Sequence, residues 1–166
     1  MVVANVHLPA DHPQHDVSMD IKQRQGQLRR ILHDLNDPGA IFDCCKKDCV
    51  LRLVMGDFNF GDEGDEENRV LREQYRDAWT ETHGSMDKEQ GWTFDPTRNG
   101  VASSLSPGLH GCRCDRILMS TDTTLDDVVR WTDCRVLKAK SFTVDGEVVE
   151  LNESDHYGVL AELQIQ

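Results

Sequence analysis

Gly56-Asp57-Phe58-Asn59 and Ser154-Asp155-His156 are the residues whose types and spacing could do chemistry, and each motif sits at the end of an apolar run. The first follows Val50-Leu51-Arg52-Leu53-Val54-Met55. Strand side chains alternate faces, so a strand here sends Asp57 and Asn59 the same way. A carboxylate beside an amide at a strand exit can orient a water and hold a phosphoryl oxygen. A second acid, Asp155, with His156 brought in from far along the chain, supplies much of what metal-assisted phosphoester cleavage requires. Either motif alone is ordinary turn chemistry, since turns use Gly, Asp, Asn and Ser. The pair is the stronger signal.

The elements that must position these residues alternate between strand and helix. Val2–Val6 reads as a short strand leading into His7-Leu8-Pro9. A helix starts near Asp16 or Ser18 and runs to about Asn36. Ile21, Leu28, Ile31, Leu32 and Leu35 form its apolar face, and Lys22, Arg24, Arg29 and Arg30 lie elsewhere. Asp37-Pro38-Gly39 stops it. Residues 50–55 predict a buried strand. The acids Asp62, Glu63, Asp65, Glu66 and Glu67 precede a second short helix with Leu71, Tyr75 and Ala78 on one face. Solvation and helix capping account for that cluster.

The second half is strand-rich. Trp92-Thr93-Phe94-Asp95 predicts a short strand ending at Pro96, and residues 97–111 a long loop. Asp115–Met119 begins another strand, and residues 128–136 contain one more. Asp145-Gly146 is a two-residue hairpin signal between Phe142-Thr143-Val144 and Glu147-Val148-Val149. A last strand over 157–165 puts Val159, Ala161, Leu163 and Ile165 on one face. An EF-hand beginning at Asp57 fails, because Asp62 stands where Gly is needed and Asn68 where Glu is needed.

At 166 residues the chain fits one domain. No run approaches a membrane span, and no basic segment with a long apolar stretch opens the chain, which favours an intracellular protein of nucleus or cytoplasm. A net charge of -12 argues against a generally basic nucleic-acid surface, but not against a local basic track or a bound metal ion. Of the six cysteines, Cys44, Cys45, Cys49, Cys112, Cys114 and Cys134, none forms a Cys-x-x-Cys pair. Reduced structural thiols are therefore expected rather than zinc ligands. His12 and His15 read as solvated loop residues beside Pro13.

Asn5-Val6-His7-Leu8, Gly56-Asp57-Phe58-Asn59, Arg113-Cys114-Asp115-Arg116-Ile117 and Ser154-Asp155-His156-Tyr157-Gly158 occur in a familiar order. Together they resemble the endonuclease/exonuclease/phosphatase superfamily, which includes DNase I, abasic-site endonucleases, deadenylases, neutral sphingomyelinases and inositol-polyphosphate phosphatases. Thr93-Phe94-Asp95 before the Arg113–Ile117 segment looks most like the type-2 tyrosyl-DNA phosphodiesterases. The resemblance implies the C-terminal half of a DNase I-like four-layer α/β sandwich, so residues 1–166 form a single partial domain. It implies that Asp57 positions or activates water, Asn59 binds the scissile phosphate, and His156 stabilises the transition state, oriented by Asp115. Asp155 would serve the metal side, with Mg²⁺ or Mn²⁺ as cofactor, and His7 would contact phosphate.

Plainer roles stand beside these. Asp115 could pair with a neighbouring arginine, and His7 could simply end a strand. Trp92 and Phe94 could stack a base or a tyrosyl ring, or pack inward. The family's first half, with its metal-binding Glu, has no counterpart in the sequence, so an exposed inner sheet face is expected. The function expected is a metal-dependent phosphodiester hydrolase acting on nucleic acid or a 5′-tyrosyl DNA end. The alternative is a catalytically incomplete half-domain that binds a partner chain or a phosphorylated ligand. A calcineurin-type phosphatase ranks below both, because its Gly-Asn-His-Asp/Glu segment is missing.

Overall fold

The computed structural model describes residues 1–11, 14, 16–37, 51–84, 89–120, 128–138, 140–144, 147–151 and 154–165. The predictions for His12, His15, Cys44, Cys45, Cys49, Pro38, Gly39 and the Asp145-Gly146 turn lie outside the described residues. Strand β1 (Val2–His7), helix α1 (Val17–Asn36) and strand β2 (Arg52–Asp57) form a parallel βαβ unit. Then come α2 (Asp65–Arg72), β3 (Tyr75–Asp77), α3 (Ala78–His83), α4 (Gly100–Leu105) and β4 (Asp115–Ser120). Strands β5 (Val129–Leu137), β6 (Lys140–Val144), β7 (Glu147–Leu151) and β8 (Gly158–Ile165) close the chain. The main sheet has order β1-β2-β4-β3, with β4 antiparallel to both neighbours. β5 pairs with β8, and β6 with β7, each antiparallel.

Alternation along the central strands splits their side chains between two cores. Val2, Ala4, Val6, Val54 and Leu118 meet Leu28, Leu32 and Leu35 of α1 on one face. Leu53, Met55, Ile117 and Met119 face Val129, Trp131, Cys134, Val159 and Leu163 of the β5–β8 pair on the other. The inner face expected to be bare is thus largely covered. It opens toward the β1 edge, where Val3 is 43% exposed. Asp16 caps α1 by accepting the Ser18 N–H, as its position before the apolar repeat predicts.

Several local expectations change. The single helix expected to carry Leu71, Tyr75 and Ala78 is instead a helix, a strand and a second helix. Tyr75 enters the sheet opposite Ser120, and Asp77 caps α3 through the Trp79 and Thr80 N–H groups. The acidic cluster is not explained by capping, since Gly64 is the N-cap of α2 and makes no side-chain cap. Glu67 is buried against Arg24, which also reaches Asp11, and Asp62 pairs with Arg113. Arg24 therefore lies inside, because its charge is matched there. Within residues 92–95 Phe94 alone forms isolated bridges and there is no strand, and the expected loop 97–111 contains α4, capped by Asn99. Cys112 and Cys114 are joined in a disulfide, against the expectation of reduced thiols. Among the described residues Cys134 is a free, buried cysteine.

Candidate active site

Sheet register builds the centre of the site. His7 lies opposite Asp57 across the parallel β1–β2 ladder, and Asp57 lies opposite Asp115 across the antiparallel β2–β4 ladder. Three adjacent strands thus put these side chains in one row on the face away from α1. The ladders pass through Gly56 (φ 125°), where a Cβ would lie 2.0 Å from the Val6 carbonyl oxygen. Only glycine fits that backbone and that approach.

Asn59 reaches Asp57 by a different route from the one period two predicts. β2 ends at Asp57, and Asn59 turns into the left-handed region at φ 52°. Its backbone N–H donates to Asp57 Oδ1 (2.8 Å), while its Nδ2 donates to Leu8 O (2.6 Å) and Asp57 Oδ2 (3.3 Å). This is the local side-chain turn that Asp and Asn favour. It fixes the carboxylate at the strand exit.

His156 arrives on a stitched loop. Phe94 bridges both Cys112 and His156, and Tyr157 N–H donates to Thr93 O (2.7 Å). The fully buried Thr93 hydroxyl accepts the Asp115 N–H (2.9 Å), and Asn99 Nδ2 donates to Ser154 O (2.9 Å). Held at both ends, His156 sets Nδ1 2.7 Å from Asp115 Oδ2. The Phe94 ring lies 5.3 Å from the imidazole, so it belongs to the packing beneath the site. Thr93 and Asn99 are the positioning residues that sequence reasoning missed. The Asn99-Gly100 helix start before Val101-Ala102 was the available signal for one of them.

Asp57, Asp115 and His156 each offer a ligand atom within 4.8 Å of the others. Burial raises the Asp57 carboxyl above the ordinary carboxylate range, and the nearby Asp115 charge adds to this, against the Asn59 N–H and the two histidines. The hydrogen bond to Asp115 raises the His156 imidazole, and burial opposes it. The site therefore sets a carboxyl shifted upward by burial beside an imidazole shifted upward by its carboxylate partner. The two close carboxylates are hard donors of the kind a divalent cation takes, and the imidazole beside them is hydrogen-bonded to Asp115.

The other site candidates sit outside this group. His7 is 79% exposed, with Nε2 3.6 Å from Asp57 Oδ2, which is beyond hydrogen-bonding distance. Asp155 adjoins His156 and its charge helps raise that imidazole, while its carboxylate is in contact with the Ser154 hydroxyl. Trp92 lies over Gly111 and, with Gly61, Asp62, Glu63, Cys112 and Arg113, lines a cavity of about 250 Å³. Arg113 and Arg116 do not pair with Asp115. They converge on Asp77 (2.8 Å from each), and Arg116 also donates to Asn68. Burial opposes the Asp77 charge, but the two guanidinium groups outweigh it and hold the carboxyl below the usual range.

This α/β fold, a mixed sheet with flanking helices, matches half of a DNase I-like sandwich. No family model and no curated protein matches the sequence. Among solved structures the chain is similar to beta toxin from Staphylococcus aureus, at 22% identity and TM-score 0.65 over 97% of this chain and 52% of that one. It is also similar to D. rerio TDP2 solved with a single-strand DNA product, at 21% identity and TM-score 0.64 over 98% and 55%. A Bacteroides thetaiotaomicron mannosyl-6-phosphatase matches at 16% identity and TM-score 0.59 over 96% and 49%. The chain spans about half the length of these proteins.

Proposed function

We propose that this chain carries the water-positioning and charge-stabilising part of a metal-dependent phosphodiester hydrolase. The observation that carries the reading is the Asp115–His156 pair at 2.7 Å facing an Asp57 carboxylate locked by Asn59. Asp57 accepts a proton from the attacking water, for which a raised carboxyl is suited. His156, kept cationic by Asp115, and the Asn59 amide stabilise charge growing on the phosphoryl oxygens. Mg²⁺ or Mn²⁺, with Asp155 as its assigned ligand beside the Asp57–Asp115–His156 group, would supply Lewis-acid stabilisation of that charge. His7 and Trp92 are assigned to substrate, and nucleic acid or a 5′-tyrosyl DNA end is the substrate class. The half-length match supports completion of the site by another polypeptide segment.

The test is Mg²⁺-dependent cleavage of a 5′-tyrosyl oligonucleotide, with His156→Ala as control. Turnover that disappears in the variant supports the hydrolase. A folded chain with no turnover and no Mg²⁺-dependent thermal shift supports the second reading, a half-domain that binds without turnover, which the half-length match favours. A thermal shift abolished by Asp155→Ala supports metal binding at the assigned residues.

A further inference from the structure

We propose that the Cys112–Cys114 disulfide is a reversible redox site that clamps the candidate active site, so that a thiol reductant loosens it. As a control on turnover the proposal rests on the hydrolase reading; as a statement about structure it does not. The disulfide spans residues two apart, immediately before Asp115. Each cysteine is tied through its backbone to a different part of the site. Cys114 O accepts the Phe58 N–H (2.9 Å), inside the turn between Asp57 and Asn59. Cys112 exchanges hydrogen bonds with Phe94 (Cys112 N to Phe94 O 2.9 Å, Phe94 N to Cys112 O 3.1 Å), and its carbonyl also accepts the Thr93 N–H (3.0 Å). Phe94 in turn bridges His156, and Thr93 receives the Asp115 N–H.

One covalent link therefore fixes the segment on which the Asp57 turn, Asp115 and His156 all depend. Loop-closure stabilisation grows with loop length, and this loop is among the shortest a disulfide can close. Its effect is on local geometry rather than on global stability. Cys112 is half-buried and Cys114 is buried, so an incoming thiolate attacks the Cys112 sulfur. The S–S bond breaks, Cys114 leaves as the thiolate and takes a proton, and Cys112 is held in a mixed disulfide. A second thiol of the reductant displaces Cys112 as a thiol. The dithiol reductant is oxidised to its disulfide, and two electrons and two protons pass to the protein.

The experiment compares the oxidised chain with the same chain treated with dithiothreitol, with alkylation and mass mapping to confirm the state of Cys112 and Cys114. Amide hydrogen exchange is read residue by residue. Reduction is expected to raise exchange roughly tenfold or more at Phe58, Thr93, Phe94 and Asp115, with β5 and β8 unchanged. The Cys112→Ser/Cys114→Ser variant is expected to match the reduced protein with or without reductant. Unchanged exchange at those amides, or an equal rise across all strands, overturns the clamp. Turnover of bis(p-nitrophenyl) phosphate with Mg²⁺ is measured alongside and is expected to fall on reduction and return with oxidised glutathione. If neither form turns over, the hydrolase reading fails while the exchange data still decide the clamp.

Discussion

Replacing Asp115 with Asn removes one charge from the Asp115–His156 pair and nearly nothing else. The amide has the carboxylate's shape, can still accept from Nδ1, and leaves the Thr93 bond to the Asp115 backbone in place. What is lost is the charge assistance. Hydrogen bonds to charged groups contribute about 1.5–3 kcal/mol and neutral ones about 0.5–1.5, so the loss is about 1–1.5 kcal/mol. The pair is only 24% and 23% exposed, so solvent screening takes little from that figure. Any rate that depends on cationic His156 should fall about 5- to 13-fold. The direct assay is an NMR titration of the imidazole protons, with His156→Gln assigning the resonance among seven histidines. The hydrogen bond is the largest cause of the raised imidazole, so the midpoint should drop in Asp115→Asn. A raised folded-state value means the pair's stabilisation is complete below the unfolded value of about 6.5 and is lost as pH rises through the folded value. The difference in Tm between the two proteins should therefore be widest below that range and close above it. An unchanged midpoint would refute the assigned orientation of His156.

Three further outcomes follow from the same geometry. Gly56→Ala forces a Cβ against the Val6 carbonyl at a left-handed φ, and should destabilise by more than about 2 kcal/mol in urea titration. Arg116→Met strips one of two guanidinium partners from the buried Asp77, and should cost about 3–5 kcal/mol by the same measurement, with Arg113 retaining the other contact. If turnover is found, its pH profile should be bell-shaped, rising as the raised Asp57 carboxyl ionises and falling as the raised His156 imidazole loses its proton. A flat profile through the neutral range, or an acid limb at an ordinary carboxylate value, would detach those groups from the rate.

The sequence made the strands legible because their signal is local. β1, β2, β4, β5 and β8 fall within a residue or two of the apolar runs that predict them, and the β6–β7 pairing of Val144 with Glu147 has the spacing of a two-residue hairpin. Helix α2 and strand β3 were harder to separate, because Leu71, Tyr75 and Ala78 keep a helical spacing while a sheet edge recruits Tyr75. The acidic cluster misled for a related reason. Charge count cannot tell a solvated Glu from Glu67, whose partner Arg24 lies 43 residues away. Asp57, Asn59, Asp115 and His156 were recognisable by residue type and order. Their mutual geometry depends on the register of β2 against β4 and on the Thr93 and Asn99 contacts, which no local window contains.

That division bears on what a completing segment would have to do. The orientation of His156 is set by Asp115, Thr93, Asn99 and Phe94, and that of Asp57 by Asn59 and strand register, all within this chain. A partner covering the open edge near Val3 therefore has no need to align the imidazole or the carboxylate. Among the described residues Asp115 is committed to His156, so one further carboxylate from such a segment would add to a cation's ligands. A segment that contributes one carboxylate beside Asp57 should raise metal affinity and turnover together while leaving the His156 titration midpoint nearly unchanged. A segment that shifted the midpoint strongly would instead be reshaping the pair, and the preorganisation attributed to this half would be wrong.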